Sequence, residues 1–166
     1  MARREDRLKA RSGLRYVVLA NSMRGVIDTS VLAAGIAGFK SWRTVLNPSA
    51  SLLREWLETA TFTWLVTEEI LSEYKEVLAR LGVRRNLIGE LINRLREEAE
   101  FVEVRFATDI SPDPADNPFC ACAEQGRASF IATLNRKDFP QKKLSAKVIS
   151  PGDPLPTTGR RRPQSG

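Results

Sequence analysis

The sequence predicts an α/β fold, a three-layer α/β/α sandwich around a mainly parallel sheet of four to five strands. Short apolar segments alternate along the chain with amphipathic helical segments, and no internal repeat interrupts the pattern. Such alternation is typical of βαβ units, whose parallel sheets are covered by helices on both faces. The chain has 166 residues, of which 42% are hydrophobic, so one domain with a sizeable core is expected.

Five short apolar segments, rich in Val, Ile and Phe, have the composition of buried parallel strands. The predicted strands are residues 26–27, 62–66, 101–104, 129–133 and 147–149. Between the first two strands, the small residues 31–34 favour the start of a helix, and the glycines after them predict a loop up to Pro48. A second helix is expected from Ser49 or Ser51, as the N-cap, to about Thr59.

Three further helices are predicted from capping residues and from apolar periodicity. Thr67 is a good N-cap, and the two glutamates after it suit the positive end of a helix dipole. The helix that follows carries apolar residues on one face as far as Leu81, and a similar stripe predicts another helix from about Asn86. A last helix opens at Asp116, where a proline is tolerated in the first turn, and closes near Gly126.

The positive charge of the chain is concentrated at its ends. The formal net charge is +6, yet residues 23–158 carry a net charge of −1. Residues 1–22 are expected to be a basic extension that is disordered, that adds phosphate contacts, or that precedes the true start at Met23. Residues 151–166 are expected to form a disordered basic tail, which leaves residues 23–150 as the folded domain.

The composition restricts the chemistry that the protein can perform. The chain has no histidine, which excludes serine-protease triads, Cys–His dyads and histidine-rich zinc sites. Cys120 and Cys122 are too close in sequence for an ordinary disulfide, so a reducing compartment, the cytoplasm, is expected. No stretch approaches the roughly 20 apolar residues of a membrane span. Carboxylates, amides, hydroxyls and basic groups remain as candidate functional groups.

Polar residues follow several predicted strands at the carboxyl edge of the sheet, where open parallel sheets bind ligands. Asp28 ends the first strand, Asp116 opens the helix after the third strand, and Asn135 follows the fourth strand. Glu73 lies in the helix after the second strand and is the acid of that helix nearest its apolar face. Each of these residues also has an ordinary structural explanation, as a helix cap, a turn residue or a surface acid.

Several acids at one edge of a sheet repel one another unless a cation offsets their charge. Oxygen ligands without histidine or a useful cysteine pair favour Mg²⁺ or Mn²⁺. These ions bind phosphates and make bound water more acidic, so the residues predict metal-assisted hydrolysis of phosphodiester bonds.

Four motifs between about Met23 and Ser150 resemble the PIN-domain family. They are VIDTSVL at 26–32, VTEEILSEYKEVL at 66–78, DPADNPFCACA at 113–123 and FIATLNRKDFP at 130–140. The resemblance implies a Mg²⁺- or Mn²⁺-dependent endoribonuclease on a compact α/β/α sandwich, often a dimer or higher oligomer. Bacterial PIN domains of this size are often the toxin of a toxin–antitoxin pair, which implies a small antitoxin protein as a partner and RNA as the substrate.

By position, the resemblance makes Asp28, Glu73 and Asp116 the acidic catalytic and metal-site residues. Asp28 and Asp116 would hold the metal, and Glu73 would help to hold it or orient the attacking water. Asn135 is also implied to be catalytic, but it stands where many members have a fourth aspartate, which leaves open whether one or two metals bind. Three further residues are expected to support these side chains: Ser30, Thr133 and Asp138.

Substrate phosphates are expected to meet a basic run beside the site, which is otherwise a solvated loop. Its residues are Arg136, Lys137, Lys142 and Lys143. The alternative function is a PIN scaffold that binds RNA or a protein without cleaving it, which the neutral Asn135 favours. A phosphoaspartate enzyme is disfavoured because Ser30 stands where it needs a second aspartate. A nucleotide-binding module would need a glycine-rich loop after the first strand, which is missing.

Overall fold

The computed structural model of the protein describes residues 23–40 and 47–156. The basic extension predicted for residues 1–22, and the part of the predicted tail beyond residue 156, lie outside this range. Among the helices of the described residues, none combines the length and the apolar character that crossing a membrane requires.

Among the described residues, one five-stranded sheet, in the order β3-β2-β1-β4-β5, forms the middle layer of the domain. The strands are β1 (Met23–Ile27), β2 (Phe62–Val66), β3 (Glu100–Phe101), β4 (Phe130–Ala132) and β5 (Lys147–Ile149). All neighbouring strands run parallel, which confirms the predicted α/β sandwich. β3 stops at Phe101 instead of residue 104, because β2, its partner strand among the described residues, ends at the paired residue Val66.

Helices connect the strands, and five of them are α-helical in the described residues. They are α1 (Thr29–Lys40), α2 (Pro48–Thr59), α3 (Glu68–Arg80), α4 (Arg85–Glu98) and α5 (Asn117–Gln125). Single turns of 3₁₀ helix occur at residues 114–116, 136–138 and 141–143. Thr67 caps α3 as predicted, since its hydroxyl accepts a hydrogen bond of 3.1 Å from the backbone of Ile70.

The loop predicted after residue 34 is wrong, because α1 continues through Gly35 to Lys40. Close packing of α1 on α2 explains the glycine: a Cβ at Gly35 would lie 2.3 Å from Cδ1 of Leu53. The N-cap of α2 is also not a serine. The side chain of Asn47 takes that role, since it accepts a hydrogen bond of 2.8 Å from a backbone N–H in the first turn.

The connections place β1 at the centre of the sheet, between β2 and β4. The chain leaves β1 towards β2 and later returns on the other side as β4, so the strand order reverses between β1 and β4. In open parallel sheets, such a reversal opens a crevice at the carboxyl ends of the strands. Asp28 and Thr133, which directly follow these two strands, therefore lie at the centre of this edge.

Residues 151–156, which the sequence assigns to a disordered tail, form a turn against the domain. Pro151 is buried, and the Asp153 carboxylate accepts hydrogen bonds from the backbone of Ser150 (2.9 Å) and from Arg136 (2.8 Å). The ordered domain thus extends at least six residues past the predicted boundary. The sequence did not predict this, because Arg136 is distant from Asp153 along the chain.

Gly25→Ala should lower the free energy of unfolding by about 1–3 kcal/mol, the usual cost of overpacking a core. A Cβ at Gly25 would lie 2.1 Å from Cζ of Phe130, whose ring is fully buried. Gly89→Ala is the matched control, because a Cβ at this position in α4 meets nothing within 4 Å. It should stabilise the protein by about 0.5–1 kcal/mol. Urea unfolding measures both variants, and equal effects would contradict the packing of β1 on β4.

Candidate active site

Asp28 is a buried carboxylate, with 4% of its surface exposed, directly after the central strand. Its Oδ2 accepts hydrogen bonds from the hydroxyls of Ser30 (2.6 Å) and Thr133 (2.8 Å). No donor among residues 23–40 and 47–156 reaches Oδ1. The neighbours therefore hold the carboxylate through one oxygen and leave the other without a protein donor in the described part of the chain.

Glu73 is half-buried on α3, whereas Glu69 and Glu76 of the same helix are exposed. This burial agrees with its predicted place beside the apolar face. Its Oε2 accepts a hydrogen bond from the hydroxyl of Thr29, the residue directly after Asp28. The contact ties the acid of α3 to the end of the central strand.

Asp116 lies at the end of the 3₁₀ turn that leads into α5. Carboxylate oxygens of Asp113, Asp116 and Asp138 lie within 4.8 Å of one another. Asp138 comes from the turn after β4, so two loops that are distant in sequence meet here. Asn117 braces the loop before Asp116, because its side-chain oxygen accepts two backbone hydrogen bonds, of 3.0 and 2.8 Å.

Negative charge accumulates around Asp116. Its pKa is raised from 3.8 to about 7, first by burial and then by four nearby carboxylates. These four belong to Asp28, Asp113, Asp138 and Glu73. Burial likewise raises the pKa of Glu73, although its hydrogen bond from Thr29 acts in the opposite direction. Of the ion pairs between described residues, none includes any of these five carboxylates, so no arginine or lysine there offsets their repulsion.

This donor set fits a hard divalent cation. The converging groups are all oxygen donors, which suits Mg²⁺ or Mn²⁺ and excludes sites that need nitrogen or sulfur ligands. A cation would also relieve the repulsion that raises the pKa of Asp116. The acidic cluster of Asp113, Asp116 and Asp138 is thus compatible with metal binding, and Asp28 and Glu73 lie near enough to act on its charge.

Asn135 joins the site through its backbone. Its N–H donates a hydrogen bond of 2.9 Å to the Thr133 hydroxyl, and that same hydroxyl donates to Asp28. The residue itself is exposed, and no side-chain hydrogen bond joins it to another described residue. The geometry therefore assigns the backbone of Asn135 a bracing contact and leaves its amide accessible.

The basic run beside the site divides into two kinds of residue. Arg136 pairs with Asp153 at 2.8 Å and donates to the carbonyl of Val148 at 3.3 Å, so it anchors the C-terminal turn to β5. The three lysines are exposed, and they form no ion pair with other described residues: Lys137, Lys142 and Lys143. These lysines are therefore cations close to Asn135 in sequence that have no ion-pair partner among the described residues.

Sequence reasoning missed two residues of this arrangement. Asp113 is not among the residues that the sequence predicts for the site. Its Oδ1 accepts a hydrogen bond of 3.0 Å from the backbone of Ala115, and its carboxylate also joins the acidic cluster. Asp113 and Asp116 are three residues apart, a spacing that predicts both carboxylates on one turn. Thr29 is not among the predicted site residues either, although its position directly after Asp28 made a contact with a neighbouring acid possible.

Two comparisons with known proteins bear on this site. A family model described as PIN domain matches residues 24–137, which covers most of the chain and four of the five carboxylates around Asp116, all except that of Asp138. No curated protein matches the chain.

Proposed function

The chain belongs to the PIN-domain family, and from this premise we propose that it is a Mg²⁺- or Mn²⁺-dependent endoribonuclease that hydrolyses phosphodiester bonds of RNA. PIN domains are generally nucleases and usually use divalent metals. One observation carries the proposal: five carboxylates come together at one edge of the sheet, and no ion pair of the described residues offsets their charge.

Asp28, Glu73 and Asp116 are the residues that hold the cation in this proposal. Asp113 and Asp138 add negative charge beside Asp116. When bound, Mg²⁺ or Mn²⁺ supplies two things: it neutralises charge on the scissile phosphate, and it makes a bound water more acidic.

The other side chains position these acids. Ser30 and Thr133 hold the Asp28 carboxylate in one orientation, since both hydroxyls donate to the same oxygen. Thr29 holds one oxygen of Glu73, which leaves the second oxygen to help hold the cation or to orient the attacking water. The neutral amide of Asn135 is exposed at this edge, where it can donate to a phosphate oxygen without adding negative charge.

Binding of the RNA backbone falls to the exposed lysines. Lys137, with Lys142 and Lys143, provides sequence-independent contacts to phosphates, whose strength decreases as salt is added. Arg136 contributes differently, because its pair with Asp153 orders the turn that carries Lys137 and Asp138. The substrate is therefore recognised through its phosphates and its shape, without a large basic groove.

The proposal extends to a role as the toxin of a toxin–antitoxin pair, acting in the cytoplasm as a homodimer or higher oligomer. A groove of about 420 Å³, lined by apolar residues of α1 to α4, supports a protein partner. Leu87, at the groove, is 45% exposed, and an amphipathic antitoxin helix would cover it.

Induction of the full chain in a bacterial host should arrest growth, and the product of a neighbouring small reading frame should relieve the arrest. Normal growth would argue against the toxin role.

The nuclease activity itself is tested by incubating the full-length protein with a mixed RNA pool. Cleavage should require Mn²⁺ or Mg²⁺, stop when a chelator removes the metal, and resume when excess metal is restored. If the protein binds the RNA but shows no metal-dependent cleavage, the scaffold function, with its neutral Asn135, becomes the better account.

A further inference from the structure

Tyr74 is a fully buried tyrosine that follows Glu73 on α3. Its hydroxyl donates a hydrogen bond to the backbone carbonyl of Ile27, the residue directly before Asp28. The same hydroxyl accepts a hydrogen bond of 3.3 Å from Nε1 of Trp64 in β2. One side chain thus joins the helix that carries one acid to the strand end that carries another.

The position of Ile27 in the sheet explains why its backbone carbonyl accepts a hydrogen bond from a side chain. The register of β1 with β2 runs from the pair Met23–Phe62 to the pair Gly25–Trp64, so Ile27 lies beyond the last pair on the β2 side. A buried carbonyl without a donor is costly, and the Tyr74 hydroxyl supplies the missing hydrogen bond. On the side of β2, the end of β1 is therefore held by the Tyr74 side chain of α3, whereas on the other side β4 still pairs with Ile27.

Tyr74 also contacts α5, the helix that begins directly after the third acid, Asp116. Its ring lies 6.2 Å, centroid to centroid, from the ring of Phe119, which is three residues after Asp116 in α5. The ring of Trp64 packs on it edge-on at 6.1 Å. Because these rings are fully buried in a close-packed core, they leave α3 and α5 little freedom to shift relative to each other.

We propose that Tyr74 is a positioning residue that sets the spacing of Asp28, Glu73 and Asp116 for the cation. The inference rests on the proposed function, since it concerns the same three acids. Tyr74 does not touch the cation or the RNA. It acts through the Ile27 carbonyl, through its neighbour Glu73, and through Phe119.

Tyr74→Phe tests the inference, because it removes the hydroxyl and keeps the ring. The full-length variant should bind Mn²⁺ about tenfold more weakly than the unaltered protein in the absence of RNA, as is usual when a group that orients metal ligands is lost. Calorimetric titration with Mn²⁺ measures this change. Ile92→Val is the control for lost stability, because this buried residue of α4 loses a methylene and no hydrogen bond. It should leave the Mn²⁺ affinity unchanged.

A second measurement keeps Tyr74 in place, so it does not depend on whether Tyr74→Phe folds. The chain has two tyrosines, Tyr16 and Tyr74, so the protein labelled with 3-fluorotyrosine should show two ¹⁹F resonances, and Tyr16→Phe assigns them. Adding Mg²⁺ should shift the Tyr74 resonance in the unaltered protein. In Asp28→Asn it should not, because the cation then no longer acts on the end of β1.

The outcomes separate the two proposals. Weaker Mn²⁺ binding by Tyr74→Phe, or an Mg²⁺-dependent shift of the Tyr74 resonance that Asp28→Asn abolishes, supports the positioning role. If the unaltered protein binds Mn²⁺ while Tyr74→Phe binds it equally well, the positioning role is wrong and the nuclease proposal stands. If the unaltered protein binds Mn²⁺ but its Tyr74 resonance does not respond to Mg²⁺, the positioning role is likewise wrong and the nuclease proposal stands. Absence of Mn²⁺ binding by the unaltered protein overturns both.

Discussion

Asp28→Asn should reduce metal-dependent RNA cleavage by at least about a hundredfold, because it removes one negative charge from the centre of the site. The change is nearly isosteric, and the amide oxygen of the asparagine can still accept the hydrogen bonds from Ser30 and Thr133. The fold should therefore be kept while the affinity for the cation falls. Cleavage of labelled RNA over a range of Mn²⁺ concentrations measures the effect, and circular dichroism checks the fold.

Asp109→Asn is the matched control for this experiment. Asp109 is exposed, lies in the loop before Asp116, and does not join the acidic cluster. Asp109→Asn loses the same single carboxylate charge as Asp28→Asn, yet it should cleave RNA at a rate close to that of the unaltered protein. If both variants lose activity equally, the effect reflects the total charge of the protein. If neither loses activity, Asp28 is not part of the site that cleaves RNA.

Asp116→Asn should stabilise the metal-free protein at pH 8 by about 1–2 kcal/mol, after allowance for the partial exposure of the carboxyl group. The folded-state pKa of Asp116 is about 7, raised from 3.8 mainly by burial. An acid with a raised pKa binds its proton more tightly in the folded protein, so its contribution to stability is complete below about pH 4. That contribution is lost as the pH rises through 7, where the carboxyl group ionises among other negative charges. Asparagine carries no such charge.

Urea unfolding in the presence of a chelator, at pH 4 and at pH 8, measures this effect. The stability difference between Asp116→Asn and the unaltered protein should increase between the two pH values, and Asp109→Asn should show no such increase. Added Mg²⁺ should stabilise the unaltered protein at pH 8 more than the variant, because the variant lacks one of the carboxylate charges that we propose to hold the cation. If the stability difference between Asp116→Asn and the unaltered protein is the same at both pH values, Asp116 does not ionise among other negative charges.

The candidate site was predictable in part, because the positions of some of its residues follow from the pattern of their neighbours along the chain. Asp28 follows an apolar strand and Asp116 precedes a helix, and in a parallel sheet both positions fall at the carboxyl edge. Glu73 was predictable from its angle to an apolar stripe on α3. Asp138 was expected only to support the site, yet its carboxylate lies in the same cluster as that of Asp116. Arg136 was expected to bind phosphates, but Asp153 already pairs with it.

The sequence by itself determined the parallel α/β architecture, the approximate strand segments and the cap of α3, because each depends on residues that are neighbours along the chain. It also determined which acids lie at the ends of which elements. Only the tertiary structure decided the strand order, the continuation of α1 past Gly35, and the meeting of Asp113 and Asp116 with Asp138. It alone placed the hydroxyl of Tyr74 on the carbonyl of Ile27. These features depend on contacts between distant residues, and local propensity carries no information about which distant surfaces will pack together.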